Sequence, residues 1–297
     1  MFHLPPLPAA PVLLLRALFK RKVRCGPGEA SPDVPATAFA CAAPGPAALA
    51  RYNAALGFAP GSLPVSAHYL LAQRAHLATM LSPRFPFRLL GMVHAENRIV
   101  EHAAVAPGTP LRLVTSVRVA APTRSGARFC VLDTVAWDGD RRVFDCASKY
   151  LAVAGRKEGL ARQQPAAPAL PAFGGWRLSN RDGRRYARVS GDWNPIHLAR
   201  PLARLFGLRA PIIHGMHSVA TALALLEADG ERVTAVDVRF CAPAPLGSTV
   251  QMLHAPGAGA FTLVCRGRVA VEGSASFAPV RDIADRKVAP NPATMVS

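Results

Sequence analysis

The sequence predicts an α+β fold made of two similar halves, each one long helix followed by a run of antiparallel strands. Three observations carry this reading. Residues 64–81 and residues 214–227 each hold an apolar stretch with helical spacing. Four segments rich in β-branched and aromatic residues follow each of them. A turn signal falls at the matching place in both halves, Pro107-Gly108-Thr109 in the first and Pro245-Leu246-Gly247 in the second. The order of elements therefore repeats although the identities do not, which marks a divergent internal duplication whose two sheets can pair edge to edge.

In chain order, the first apolar run, Val12-Leu13-Leu14-Leu15, precedes Arg16, Lys20, Arg21, Lys22 and Arg24. That is the reverse of a secretion signal. Pro5, Pro6, Pro8 and Pro11 break the run far short of a bilayer span, so a short amphipathic helix on the protein's own surface is expected. Residues about 25–46 are rich in Pro, Gly and Ala and read as an irregular connection. The helix over 64–81 carries Leu70, Leu71, Leu77, Met80 and Leu81, and strands are expected over 89–105, 111–119, 128–137 and 142–153. Residues 156–171, with Gln163-Gln164 and three prolines, read as a linker. In the second half the helix over 214–227 stops at Asp229-Gly230, and strands follow over 233–241, 249–254, 261–265 and 268–277. The expected division is an N-terminal extension (1–45), a first half (46–155), a linker (156–172), a second half (173–281) and a tail (282–297).

With 51% hydrophobic and 18% charged residues among 297, the chain can bury a core, which excludes disorder over most of its length. The net charge of +17 favours an anionic partner. Nucleic acid is not expected, because aromatic residues make up only 7% and do not interleave with the basic ones as in known modules. Cys25, Cys41, Cys130, Cys146, Cys241 and Cys265 form no CxxC pair and several sit in apolar runs, so free thiols in a reducing, cytoplasmic setting are expected.

The chemistry concentrates in two short pieces. The first is Tyr186-Ala-Arg-Val-Ser-Gly-Asp-Trp-Asn-Pro-Ile-His197, where a short helix stops at Gly191 and a proline-stiffened turn gathers Asp192, Asn194 and His197. A carboxylate, an amide and an imidazole within six residues on a rigid turn suit acid/base work on a small molecule. The bland alternative is that Asp192 caps a helix over 198–206 and His197 is a buried, hydrogen-bonded residue. The second piece is Ile212-Ile213-His214-Gly215-Met216, which opens the long second helix. A glycine there exposes an unpaired N–H at the positive end of the helix dipole, a ready site for a carbonyl oxygen gaining negative charge.

These pieces, Ser190-Gly-Asp-Trp-Asn-Pro-Ile-His197 with Pro211-Ile-Ile-His-Gly-Met216, resemble the hydratase-2 motif of MaoC-like (R)-specific enoyl-CoA hydratases and 3-hydroxyacyl dehydratases. The segment Phe85-Pro-Phe-Arg-Leu-Leu-Gly-Met-Val-His-Ala-Glu-Asn-Arg-Ile99 resembles double hot-dog members of that family. The resemblance implies a double hot-dog fold and reversible hydration of trans-2-enoyl thioesters to (R)-3-hydroxyacyl thioesters. It matches Asp192 and His197 to the catalytic pair, Asn194 to a residue orienting the water, and the Gly215 N–H to the oxyanion donor. Some relatives carry an acidic or polar residue two positions after the histidine; here Ala199 stands there. Coenzyme A or an acyl carrier protein enters only as part of the substrate, no cofactor or metal is implied, and a homodimer is compatible with the pattern. A hot-dog thioesterase and a non-catalytic acyl-thioester binding module are the alternatives.

No acid/base pair appears between Arg51 and Ser66, only Asn53, Gly57 and Pro60, so one active site per chain is expected. His214 and His217 lack a third ligand at metal-binding spacing, and the pairs His68/His76 and His94/His102 read as structural. Arg181, Arg184, Arg185, Arg188, Arg200, Arg204 and Arg209 surround the motif and suit either carrier phosphates or a solvated basic face.

Overall fold

A computed structural model describes residues 4–20, 34–89, 91–153, 166–228, 230–255, 257 and 259–279. The basic residues Arg21, Lys22 and Arg24, Cys25, most of the linker, Asp229 and the tail beyond 279 lie outside these residues. The other five cysteines are free thiols, as expected.

Ten strands form one sheet. In the first half these are β1 (Thr37–Ala42), β2 (Val93–Glu101), β3 (Pro110–Val119), β4 (Arg128–Asp138) and β5 (Arg141–Val153). In the second they are β6 (Ala172–Arg177), β7 (Glu231–Phe240), β8 (Thr249–His254), β9 (Ala260–Cys265) and β10 (Arg268–Pro279). The order β1-β3-β4-β5-β2-β7-β10-β9-β8-β6 repeats one topology in the two halves, which meet where β2 pairs antiparallel with β7. The helices are α1 (Ala10–Phe19), α2 (Pro46–Leu56), α3 (His68–Met80), α4 (Asp182–Ser190), α5 (Arg200–Leu205) and α6 (Gly215–Glu227).

The duplication, the two long helices and the eight strands after them match the expectations, with ends shifted by a few residues. The irregular reading of residues about 25–46 is corrected by β1, which pairs with β3 and so belongs to the first half's sheet. Three alanines in Thr37-Ala-Phe-Ala-Cys-Ala42 weaken the strand pattern, and only pairing to a formed neighbour fixes the segment as β. Strand β6 was hidden likewise by Gly174-Gly175 beside a proline-rich stretch. The N-terminal helix does lie on the protein's surface: Leu13 is buried, and Arg74 of α3 donates to the carbonyls of Leu7 and Pro8 just before α1.

Helices α3 and α6 are buried on nearly every side, which suits a central helix wrapped by a sheet. One core cluster runs through both halves, from Leu71, Ala72 and Ala75 of α3 to Val219, Ala220 and Leu223 of α6. A buried charge cluster also clamps the junction. Glu101 at the end of β2 accepts His68 Nε2–H at 2.9 Å and both Arg232 guanidinium nitrogens at 2.6 Å, and Arg232 comes from β7 in the other half. Arg232 also donates to the Leu63 carbonyl at 2.8 Å. Burial alone would raise the Glu101 pKa, but the His68 and Arg232 contacts outweigh it and hold the carboxyl below its ordinary value.

Glu101→Gln leaves Arg232 short of its counter-charge, so it is expected to destabilise the fold by about 3 kcal/mol, read by urea unfolding. Because the folded pKa is depressed, the stability Glu101 contributes is present above its unfolded value of about 4.3 and fades as pH falls through the folded value. The variant is expected to lose that part of the acid slope, and an unchanged slope would contradict the assignment.

Candidate active site

The site starts from a glycine. Helix α4 ends at Gly191 in the left-handed region, φ 77°, and a Cβ there would lie 2.8 Å from the Ala10 Cβ of α1. Both constraints exclude larger residues. The chain then turns sharply into Asp192. The Asp192 N–H donates to Ser190 Oγ at 3.2 Å, and Asp192 Oδ1 accepts the Asn194 N–H at 3.1 Å, an Asx turn that orients the carboxylate. Asn194 Oδ1 in turn accepts the Ile196 N–H at 3.4 Å and caps a single 3-10 turn, Pro195–His197. Gly183 of α4 lies so close to the His197 carbonyl that a Cβ would approach to 2.0 Å, which presses the helix against the turn.

Two hydrogen bonds fasten this turn to the loop before α6. The Ile212 N–H donates to the Ile196 carbonyl at 3.2 Å, and His197 Nδ1–H donates to the Ile212 carbonyl at 2.8 Å. A carbonyl can only accept, so it fixes the tautomer: in the neutral ring the lone pair sits on Nε2. His214 stacks on His197 with ring centroids 3.6 Å apart, and its Nε2–H donates to the Asp192 backbone carbonyl at 2.9 Å. Tyr186 of α4 backs His214 at 4.8 Å.

Gly215 follows His214 as the first residue of α6. Its N–H has no backbone acceptor among the described residues, as the first turn of a helix requires. A Cβ at this position would fall 2.4 Å from the Phe240 ring, so close packing rather than backbone strain demands glycine.

Burial alone would raise the Asp192 pKa, but His214, His197, the Asn194 N–H and the Gln73 side chain outweigh it and hold the carboxyl below its ordinary value. Burial pushes both imidazoles down, His197 below its ordinary value and His214 to about 3, with the Asp192 charge opposing it in each case. The resting site is thus a carboxylate beside two neutral imidazoles.

All four residues singled out in the sequence, Asp192, Asn194, His197 and Gly215, lie on the turn or on the helix start to which it is bonded. Asp192 does not cap the following helix, which begins at Arg200 behind Ala199. The Asn194 oxygen caps the 3-10 turn, and the Nδ2 donors carry no side-chain hydrogen bond among the described residues. One donor atom each of Asp192, His197 and His214 lies within 4.8 Å of the others, a grouping that the spacing of His214 and His217 did not show. A divalent cation there would find one nitrogen of each ring already committed to a carbonyl. His217 instead packs against Tyr186, with ring centroids 5.6 Å apart. Sequence reasoning missed the stacking role of His214, whose signal was its place immediately before Gly215. It also missed Gln73, which comes from the other half and carries no local signal.

The first half repeats the geometry without the chemistry. Helix α2 also ends in a left-handed glycine, Gly57 at φ 88°, but the next residue is Phe58, buried and apolar.

The comparisons with known proteins fit this site. The family model described as a MaoC like domain matches residues 167–256, which include the turn and α6. The 3-hydroxyacyl-thioester dehydratase X of Mycobacterium tuberculosis is 30% identical over 230 residues, covering 74% of this chain and 80% of that protein. Its crystal structure superposes with a TM-score of 0.67 at 25% identity, over 81% of this chain and all of that one. A second M. tuberculosis protein, described as having a double hot-dog fold, superposes with a TM-score of 0.52 at 16% identity, over 82% of this chain and 96% of its own, a likeness of fold alone. With a relative this similar over most of both chains, and with the repeated helix-and-sheet topology, the chain is a double hot-dog protein that belongs to the MaoC-like dehydratase family.

Proposed function

We propose that this protein is a hydro-lyase that interconverts trans-2-enoyl thioesters and (R)-3-hydroxyacyl thioesters in fatty-acyl metabolism. The observation that carries the reading is the bond from His197 Nδ1–H to the Ile212 carbonyl, which leaves a basic nitrogen beside an ionised Asp192 on a turn tied to the loop that leads into Gly215. In the hydration direction the Gly215 N–H polarises the thioester carbonyl and stabilises the enolate-like charge. His197 Nε2 takes a proton from water as the oxygen adds to Cβ, and the Asn194 Nδ2 donors orient that water. The proton passes from the imidazolium to Asp192, which delivers it to Cα. The depressed pKa of Asp192 makes its protonated form a strong acid, and the pair ends in its starting state. No residue forms a covalent bond to substrate.

The reading has one site per chain, because the first half has no Gly-Asp-x-Asn-Pro-x-His sequence and places Phe58 after Gly57. On this reading residues 46–155 are a non-catalytic half that completes the sheet and shapes the acyl channel, and residues 173–281 are the catalytic half. The carrier end of the substrate faces basic surface. Arg181, which precedes α4, and Arg184, Arg185 and Arg188 within it line a half-open cavity of about 470 Å³, and Arg185 has an acidic partner in Asp182 at 3.3 Å. The phosphates of coenzyme A or the acidic face of a carrier protein suit that lining. No described helix is long and apolar enough to cross a membrane, and a cytoplasmic enzyme working as a monomer or homodimer fits the reading.

Asp192→Asn and His197→Gln are each expected to lower kcat/KM for crotonyl-CoA hydration about 10²–10⁴-fold while the circular dichroism spectrum stays native. Full activity in either variant would contradict the mechanism, and release of free coenzyme A by the wild type would favour the thioesterase alternative. The base must be neutral and its pKa is depressed, so the acid limb of the kcat/KM profile is expected below the ordinary histidine value of about 6.5. A limb at or above that value would show that His197 is not the titrating base. Charge reversal at Arg184 and Arg188 is expected to raise KM several-fold at low salt, an effect that shrinks at high ionic strength.

A further inference from the structure

The half without an acid/base pair places an unusual set of side chains against the site. Tyr69, Gln73 and His76 lie on one stretch of α3, His94 on β2 and Tyr150 on β5. The His94 ring lies 5.6 Å from Tyr69, 4.8 Å from Tyr150 and 4.9 Å from Phe240, the ring that packs on Gly215. The Tyr69 hydroxyl and His94 Nδ1 are 3.4 Å apart, and His76 meets Tyr150 edge-on at 6.5 Å. At its near end the set reaches the turn that carries Asp192, whose carboxyl the Gln73 side chain helps to hold below its ordinary pKa.

Four polar atoms of this cluster are sealed from solvent and have no hydrogen-bond partner among the described residues: both ring nitrogens of fully buried His76, His94 Nε2 and Gln73 Oε1. Buried polar groups of this kind are ordinarily paired, and each such exception calls for a partner. The interior of a hot-dog sheet needs none of them for packing, since leucine or phenylalanine would fill the same space. Their position supplies the partner. Phe240 stands between Gly215 and His94, so a chain whose thioester carbonyl sat on the Gly215 N–H would meet this cluster on passing Phe240.

The geometry points to a specificity site: this cluster is the inner end of the acyl channel and selects chains that carry an uncharged oxygen function, a hydroxyl or a ketone, over plain alkyl chains. The inference rests on the hydratase reading above and names the substrate class for it. An imidazole offers one donor and one acceptor, which matches a neutral hydroxyl or carbonyl. A carboxylate is disfavoured, because burial keeps His76 and His94 uncharged, with pKa values of about 3 and about 4, and the charge that bears on His94 is the negative one of Asp192.

The test measures kcat/KM of the full-length enzyme for crotonyl-CoA, for trans-2-octenoyl-CoA, and for octenoyl-CoA analogues bearing a hydroxyl or a ketone at successive distal carbons. The expected result is that at least one oxygenated chain exceeds plain octenoyl-CoA by about tenfold or more, the range a satisfied hydrogen bond provides. In His76→Leu and, separately, Tyr150→Phe that ratio is expected to fall toward one. The wild-type comparison stands alone if a variant fails to fold. Plain octenoyl-CoA turned over as well as every oxygenated chain would overturn the inference, and so would a His76→Leu protein that melts higher than wild type with the ratio intact, since buried water would then satisfy these atoms. No hydration of crotonyl-CoA by the wild type would instead refute the hydratase reading itself.

Discussion

The carbonyl of Ile212 holds the site together. It accepts the Nδ1–H of His197 across fifteen residues, joins the turn after α4 to the loop before α6, and leaves the other ring nitrogen basic. The remaining features support that bond. Gly191 lets the chain reverse, Pro195 stiffens the turn, and the Ile212 N–H to Ile196 carbonyl bond doubles the attachment. His214 then stacks on the oriented ring, and because His214 precedes Gly215, the same contact sets the start of α6. Asp192 and His197 are thus fixed by backbone groups of a half-buried turn and its neighbouring loop, which preorganises them.

The two halves show how a duplicated fold can divide its labour. Both contain a helix closed by a left-handed glycine, a central buried helix and five strands in the same order. Directly after the glycine one half places a buried phenylalanine and the other a carboxylate, and the asparagine and histidine that follow in the second half have no counterpart in the first. The half with Phe58 is still bound tightly to the site: it provides β2 to the shared sheet, Glu101 to the buried charge cluster and Gln73 to the surroundings of Asp192. An arrangement of this kind frees one half to specialise for the acyl chain while the other keeps the chemistry.

Much of this was legible in the sequence, for identifiable reasons. The long helices and the eight strands that follow them are periodic and apolar, so local pattern suffices. The motif Gly191-Asp-Trp-Asn-Pro-Ile-His197 is contiguous, which is why its resemblance to the hydratase-2 motif singled out Asp192, Asn194 and His197 before the fold was seen. Features that depend on distant contacts were not legible. Alanine-rich β1 becomes a strand only by pairing with β3, and β6 only by pairing with β8. Gln73 reaches Asp192 from more than a hundred residues away, and the stacking of His214 on His197 needs the loop closed by Ile212. The cap made by the Asn194 oxygen escaped because the sequence shows an amide but not which of its ends is engaged.

The most direct test of the central claim is the tautomer of His197, read from its ring nitrogen-15 shifts in the full-length protein and assigned by comparison with His197→Gln. A neutral ring protonated at Nδ1 near neutral pH is the predicted state, with Nε2 carrying the lone pair. A ring protonated at Nε2, or an imidazolium at that pH, would contradict the account, because no base would then face the water.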